Sequence, residues 1–266
     1  MTVVSLVDYG NLPAVQLTAA DGACAIITLY GAHLVSWRSA DGRERLFCSA
    51  LSHLDGSRPI RGGVPVIFPQ FAARGDGMRH GFARVSTWRA NGSGSEGDAA
   101  WAAFTLTEAD LPAALAQAWP QRFTLGLRVA VAAARLQISF DVRNDGAGSF
   151  AFSSALHSYF AVRDIADVRI DGVQPATLAI PGKFDHIFSG IAGAITVATG
   201  DATLTLTEQG FGDAVVWNPG AADAAALNDM EDDEYRRFVC VEAALIEPFT
   251  LAPGASWQGR HDVAAA

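Results

Sequence analysis

The sequence predicts an all-β protein built from antiparallel sheets, and three observations carry that expectation. Short segments of alternating apolar and polar residues recur along most of the chain, Gly, Asn and Asp turn signals separate them, and helical periodicity is almost absent. A length of 266 residues is ordinary for one large β-domain, and half the residues are apolar, enough for a sizeable core. Neither a linker-like composition break nor a fixed-period repeat divides the chain, so residues 1–266 read as a single β-sandwich domain.

Taken in order, residues 15–29 alternate around Asp21-Gly22, as a hairpin does. Residues 31–37 continue in strand style, and Asp41-Gly42 turns the chain toward residues 45–48. The densest signal lies in residues 58–88. Pro65 and Pro69 exclude a helix there, and Gly62-Gly63 permit a turn or a close backbone approach. A polar loop then carries Arg74 and ends in Arg79-His80-Gly81, with Arg84 just beyond. Cationic and imidazole side chains on a proline-braced loop suit a small anionic or polyhydroxylated ligand.

Residues 91–97, rich in Gly and Ser, predict a surface loop, and 101–107 alternate again. Residues 109–119 predict one short helix with Pro112 in its first turn. From 123 onward strands dominate: 123–131 paired with 136–142, then 150–159, 168–173, 195–199, 204–207, 215–217, 238–243 and 257–263.

A formal charge of −9 argues against nucleic acid or an anionic membrane as partner. Three scattered cysteines read as reduced thiols of a cytoplasmic protein, and no Cys/His spacing suggests a metal. The first ten residues lack the pattern of a secretory leader, and no apolar run reaches the ~20 residues of a membrane helix. No dinucleotide or phosphate-cradling glycine motif is present, so no cofactor is expected. Nothing marks an interface, which leaves a monomer as the expectation.

His157, in S-S-A-L-H-S-Y-F, falls on one strand face with Ala155 and Tyr159. It reads either as a half-buried structural histidine or as a chemical group. Glu242 ends the apolar run R-F-V-C-V-E, where strand interiors rarely place a carboxylate; it faces solvent or needs a partner. Across a cleft the two would form an acid–base couple, each favouring the other's charged form. His33, His53 and His261 read as structural or exposed, while His186 is open to either role. The acidic run 229–234 reads as a solvated loop without calcium-loop spacing. Asp185 with Glu242 would alternatively suit a glycosidase carboxylate pair.

Six segments together resemble the aldose 1-epimerase family, in its glucose-6-phosphate 1-epimerase (hexose-6-phosphate mutarotase) branch. They are G-A-H-L-V-S-W from Gly31, P-I-R-G-G-V-P-V-I-F-P-Q-F from Pro59, H-G-F-A-R from His80, A-L-H-S-Y-F from Ala155, V-V-W-N-P from Val215, and D-M-E-D-D-E-Y-R-R-F-V-C-V-E from Asp229. The resemblance implies a galactose-mutarotase-like β-supersandwich and cofactor-free interconversion of the anomers of a hexose phosphate. It implies that His157 protonates the ring oxygen and Glu242 takes the anomeric hydroxyl proton. It also implies substrate contacts from Arg61, Gln70, His80, Arg84 and Asp185, with the two arginines near phosphate or hydroxyls. Ala72 and the loop 73–78 depart from the family pattern beside the expected sugar site. An epimerase of free hexoses and a non-catalytic carbohydrate-binding sandwich are the rival readings.

Overall fold

A computed structural model of the chain describes residues 2–266. Strands β1 (Val3–Tyr9), β2 (Leu12–Thr18), β3 (Cys24–Thr28) and β4 (His33–Arg38) form a four-stranded meander. After a long loop come the two-residue β5 (Val66–Ile67) and the hairpin of β6 (Arg89–Glu96) and β7 (Ala99–Thr107). A short helix, α1 (Ala113–Ala118), leads to β8 (Phe123–Ala132), β9 (Arg135–Asn144), β10 (Phe150–Leu156) and β11 (Tyr159–Ala161). Next are β12 (Arg169–Asp171), β13 (Leu178–Ala179), β14 (Phe184–Ser189), β15 (Ile195–Ala198), β16 (Thr203–Gln209) and β17 (Asp213–Asn218). Helix α2 (Gly220–Ala224), the long β18 (Phe238–Leu251) and β19 (Ser256–Ala265) complete the chain.

Besides the meander there are two larger sheets. Nine strands run in the order β13-β12-β15-β16-β19-β9-β8-β7-β6, and six are built around β14-β17-β18-β10-β5, with β11 also on β18. Every pairing between these strands is antiparallel. The three sheets share one core that includes Trp37, Phe68, Trp88, Phe104, Phe140 and Phe152. The architecture is thus the all-β sandwich expected from the alternation. No helix among the described residues is long and apolar enough to cross a membrane.

Three local outcomes differ from the sequence expectation. Residues 91–97, expected as a loop, lie mostly in β6, an exposed edge strand. The Trp101 ring lies 3.4–3.6 Å from where a Cβ at Gly92 or Gly94 would sit, so a neighbour's aromatic surface covers what the glycines lack. The run 150–159 is not one strand: it breaks after Leu156 and resumes at Tyr159. Finally, β1 and β14, both largely solvent-facing, carry too little apolar periodicity to have been predicted.

The break at 157–158 depends on the Gly62-Gly63 turn. Backbone N–H groups of His157 and Tyr159 donate to the carbonyls of Pro65 and Gly63, at 3.0 and 2.9 Å. Gly63 has φ +60°, and a Cβ there would meet the Leu34 carbonyl oxygen at 2.3 Å and His33 Nε2 at 2.9 Å. Gly63→Ala is therefore expected to lower unfolding free energy by more than about 2 kcal/mol. The control Gly22→Ala also sits at positive φ but meets nothing within 4 Å, and should lose only about 1 kcal/mol. Urea denaturation of both variants checks the difference.

Candidate active site

Strand alternation gives the six-stranded sheet two unlike faces. In β18, Val239, Val241 and Ala243 enter the shared core, while Phe238, Cys240, Glu242 and Ala244 point the other way. Cross-strand register then lines up Asp185, Trp217, Cys240 and Tyr159 as one rung, and Ile187, Val215 and Glu242 as the next. Directly opposed residues share a face, so these rungs form the floor of a cavity of about 540 Å³. Loops from residues 58–61 and 71–84 form its walls.

His157 reaches the cavity through the strand break. Its Nε2 lies 3.3 Å from Glu242 Oε1, with the two side chains only 11% and 1% exposed. His157 Nδ1 and Glu242 Oε2 are buried without a protein partner. Mutual attraction alone would raise the imidazole pKa and lower the carboxyl pKa, as expected from the sequence; burial reverses both. Burial, then His80, Arg84 and Arg61, holds the His157 pKa well below its ordinary value. Burial, then Asp185, holds that of Glu242 well above the usual carboxylate range. Loss of water outweighs the attraction between the partners, so the pair favours one shared proton and no net charge.

The following residue, Ser158, points away from the cavity. Its Oγ lies 3.4 Å from His261 Nε2, and His261 Nδ1 lies 2.7 Å from Glu208 Oε1. Ser158 and His261 are wholly buried, so this Ser–His–Glu chain offers no access to a substrate and anchors the strand break instead.

The other predicted site residues divide. His80, at φ +63°, stands 5.7 Å ring to ring from His157 and edge-on to Phe71. The Ala72 N–H donates to its Nδ1 at 3.3 Å, which leaves the hydrogen on Nε2 of a neutral ring. Burial, with Arg84, Arg79 and Arg61 nearby, pushes its pKa down to about 3. Arg61 lines the cavity but is already engaged. It donates to both Asp229 carboxylate oxygens at 3.2–3.3 Å and to the Tyr159 hydroxyl at 3.1 Å. Tyr159 in turn stacks on His157, with centroids 4.9 Å apart and planes 13° apart. Arg84 and Asp185 line the cavity; Gln70 does not. The Gln70 amide instead donates to the carbonyls of Ala72, Gly75 and Gly77 and accepts from the Gly77 N–H, fastening the loop beside the site.

Sequence reasoning passed over Tyr159, Trp217 and Asp229 as site residues. Tyr159 was signalled by its place two residues after His157 on the same strand face; Trp217 joins it only through cross-strand pairing of both with Cys240, two residues before Glu242, which the sequence does not display. The acidic run 229–234 is not simply solvated: Asp229 holds Arg61, and buried Glu234 accepts from Ser49 Oγ at 2.6 Å and from Arg237 at 3.0 Å. His33 is structural, with Nε2 2.7 Å from the Gly62 carbonyl, and His186 is exposed on the other side of β14 from Asp185.

The aldose 1-epimerase family profile matches residues 13–179 and 171–263. The chain belongs to the aldose 1-epimerase family. It is 32% identical to a protein of Cenchrus ciliaris provisionally named glucose-6-phosphate 1-epimerase, over 94% of this chain and 84% of that one. A protein of Escherichia coli K12 with the same provisional name is 31% identical, over 83% and 79%. Among solved structures, a protein of Salmonella typhimurium provisionally described as a mutarotase superposes with a TM-score of 0.90. That likeness is at 28% identity and covers 99% of this chain and 94% of the other. Galactose 1-epimerase of Lactobacillus acidophilus shares the fold with a TM-score of 0.72 at 14% identity, over 100% and 99%. These likenesses make the fold of this family member the galactose-mutarotase-like β-supersandwich.

Burial also pushes the His33 pKa down to about 4. Both His33 and His80 should therefore stay neutral from pH 5 to 8, seen as flat imidazole shifts in NMR titration; a midpoint above about 6 in either would contradict these environments. The unfolded chain binds those protons near pH 6.5, before the fold does, so stability should fall as pH drops from ~6.5 toward 4.

Proposed function

We propose that this family member interconverts the α and β anomers of a hexose 6-phosphate by opening and reclosing the sugar ring. The observation that carries this reading is the buried 3.3 Å contact of His157 with Glu242 on the floor of a cavity large enough for a hexose. The provisional names of the relatives support the phosphorylated substrate.

In the working form the shared proton sits on His157 and Glu242 is a carboxylate, stabilised by hydroxyl donors of the bound sugar. Glu242 removes the proton from the anomeric hydroxyl while His157 delivers one to the ring oxygen. The bond between C1 and the ring oxygen breaks, giving the open aldehyde. Rotation about C1–C2 turns the other carbonyl face toward the ring hydroxyl, and the same transfers in reverse close the opposite anomer. Protons balance within each half-cycle. Neutral His80 presents Nε2–H to a sugar oxygen, and Asp185 accepts from a hydroxyl. Trp217 and Tyr159 provide an apolar wall for the C–H face of the sugar and fix the His157 ring. The three cysteines are free thiols, which supports action in a reducing cytoplasm, with a sugar phosphate as partner.

Each of His157→Asn and Glu242→Gln should lower anomer exchange by about 10²–10⁴-fold, the usual contribution of a positioned acid or base. Magnetisation-transfer NMR on glucose 6-phosphate, with circular dichroism confirming the fold, measures it. Near-normal exchange in either variant would remove the assignment, and binding without exchange in the unaltered protein would favour a sugar-binding module.

A further inference from the structure

We propose that the dianion of the substrate is held by Arg74, Arg79 and Arg84 rather than by Arg61, and that the loop carrying Arg74 and Arg79 sets the preference for phosphorylated over free sugar. The inference rests on the hexose-phosphate reading above and assigns the residues that would enforce it.

The cavity is locally cationic in a chain of net charge −9: five arginines line it, against the carboxylates of Asp185, Asp229 and Glu242. These cations are not equivalent. Arg61 has its fork filled by Asp229 and its remaining nitrogen on Tyr159, so its charge is already compensated. Among the described residues, Arg58, Arg74, Arg79 and Arg84 form no ion pair with any carboxylate; Arg58 belongs to the 58–61 wall with Arg61, whereas the other three stand on the 71–84 wall with His80. Arg84 donates from Nη2 to the Arg79 carbonyl at 3.0 Å, but its Nε is buried with no acceptor. A buried donor of this kind costs free energy until something accepts from it. Burial and the neighbouring Arg61 and Arg79 charges lower the Arg84 pKa to about 10, so a cation is kept where other cations oppose it. An incoming dianion relieves both penalties.

Substrate geometry places the dianion at the same end. In a hexopyranose, C6 is attached to C5, the carbon bonded to the ring oxygen. A sugar whose ring oxygen meets His157 therefore extends its 6-substituent along the His157 side of the cavity, away from C1 and Glu242. On that side His80 packs against His157, and Arg79 immediately precedes His80 in the chain. Asp185, which acts on Glu242, marks the opposite, acidic side. The loop is also held in shape: Gln70 binds the carbonyls of Gly75 and Gly77 and the Gly77 N–H, Arg74 N–H donates to the Phe71 carbonyl, and His80 N–H donates to that of Ala72. Such a loop presents its guanidinium groups with less ordering to lose on binding.

The test is anomer exchange by NMR on glucose 6-phosphate and on glucose, for the unaltered protein, Arg74→Gln, Arg79→Gln, the double variant and Arg61→Lys. Arg74 and Arg79 are exposed, so these variants should fold, which circular dichroism checks. The ratio of kcat/KM for the phosphorylated over the free sugar should fall about tenfold per arginine, mostly through KM, as expected for lost charge-assisted hydrogen bonds. The rise in KM for glucose 6-phosphate with added salt should flatten in the double variant, because screened charges have been removed. Arg61→Lys should instead lower kcat on both sugars by a similar factor. An unchanged ratio in the double variant, or a loss of phosphate preference confined to Arg61→Lys, would overturn the assignment. An unaltered protein with no preference for glucose 6-phosphate would overturn the hexose-phosphate reading itself, and this inference with it.

Discussion

Water is almost excluded from the contact between His157 and Glu242, and the chemistry of the cavity depends on that exclusion. In water an imidazolium and a carboxylate would each keep a full charge and interact weakly. Buried, the two favour a single shared proton whose position is decided by neighbouring groups. The imidazole and the carboxyl then behave as one unit carrying one proton between them, and in the proposed mechanism the sugar's two oxygens enter that proton path. The arrangement survives only because both side chains are held from behind, Glu242 by its place in β18 and His157 by the clamp of the Pro65 and Gly63 carbonyls.

That clamp ties the most unusual stretch of sequence to the His157–Glu242 pair. Gly62 and Gly63 take positive φ and let the loop pass against Phe47, Cys48 and Leu34 at distances no Cβ would allow. His33 caps the Gly62 carbonyl from the meander, and Ser158 reaches into the nine-stranded sheet through His261 and Glu208. All three sheets therefore bear on the position of one imidazole. Such convergence is how a short irregular segment keeps a fixed geometry while remaining outside any regular strand.

Electrostatically the cavity is divided, with arginines grouped about His157 and His80 and a carboxylate acting on Glu242. A pyranose phosphate is asymmetric in the same sense, anionic beyond its ring oxygen and hydroxyl-bearing beyond C1. Under the proposed function, matching the two polarities would orient the sugar before any proton moves, and orientation is much of what a reaction of this kind requires from its catalyst.

Much of this could be read from the chain directly. Alternation in β18 and β8, the Asp21-Gly22 and Asp41-Gly42 turns, and the proline- and glycine-punctuated stretch before His80 rest on short-range rules that hold wherever the residues end up. The same rules marked His157 and Glu242 as candidates but left a structural histidine and a solvent-facing carboxylate open as well, and it was the family resemblance that implied roles for them. What lay beyond the sequence was decided by contacts between distant segments. Arg61 became a brace for Tyr159 because Asp229, far along the chain, folds onto it, and Gln70 turned from the sugar to its own loop. The glycine-rich run of β6 became a strand because Trp101 covers it. The protonation of the central pair was misjudged for the same reason: attraction between two partners follows from their chemical types, but the cost of removing water follows from everything packed around them, and only the tertiary structure sets that.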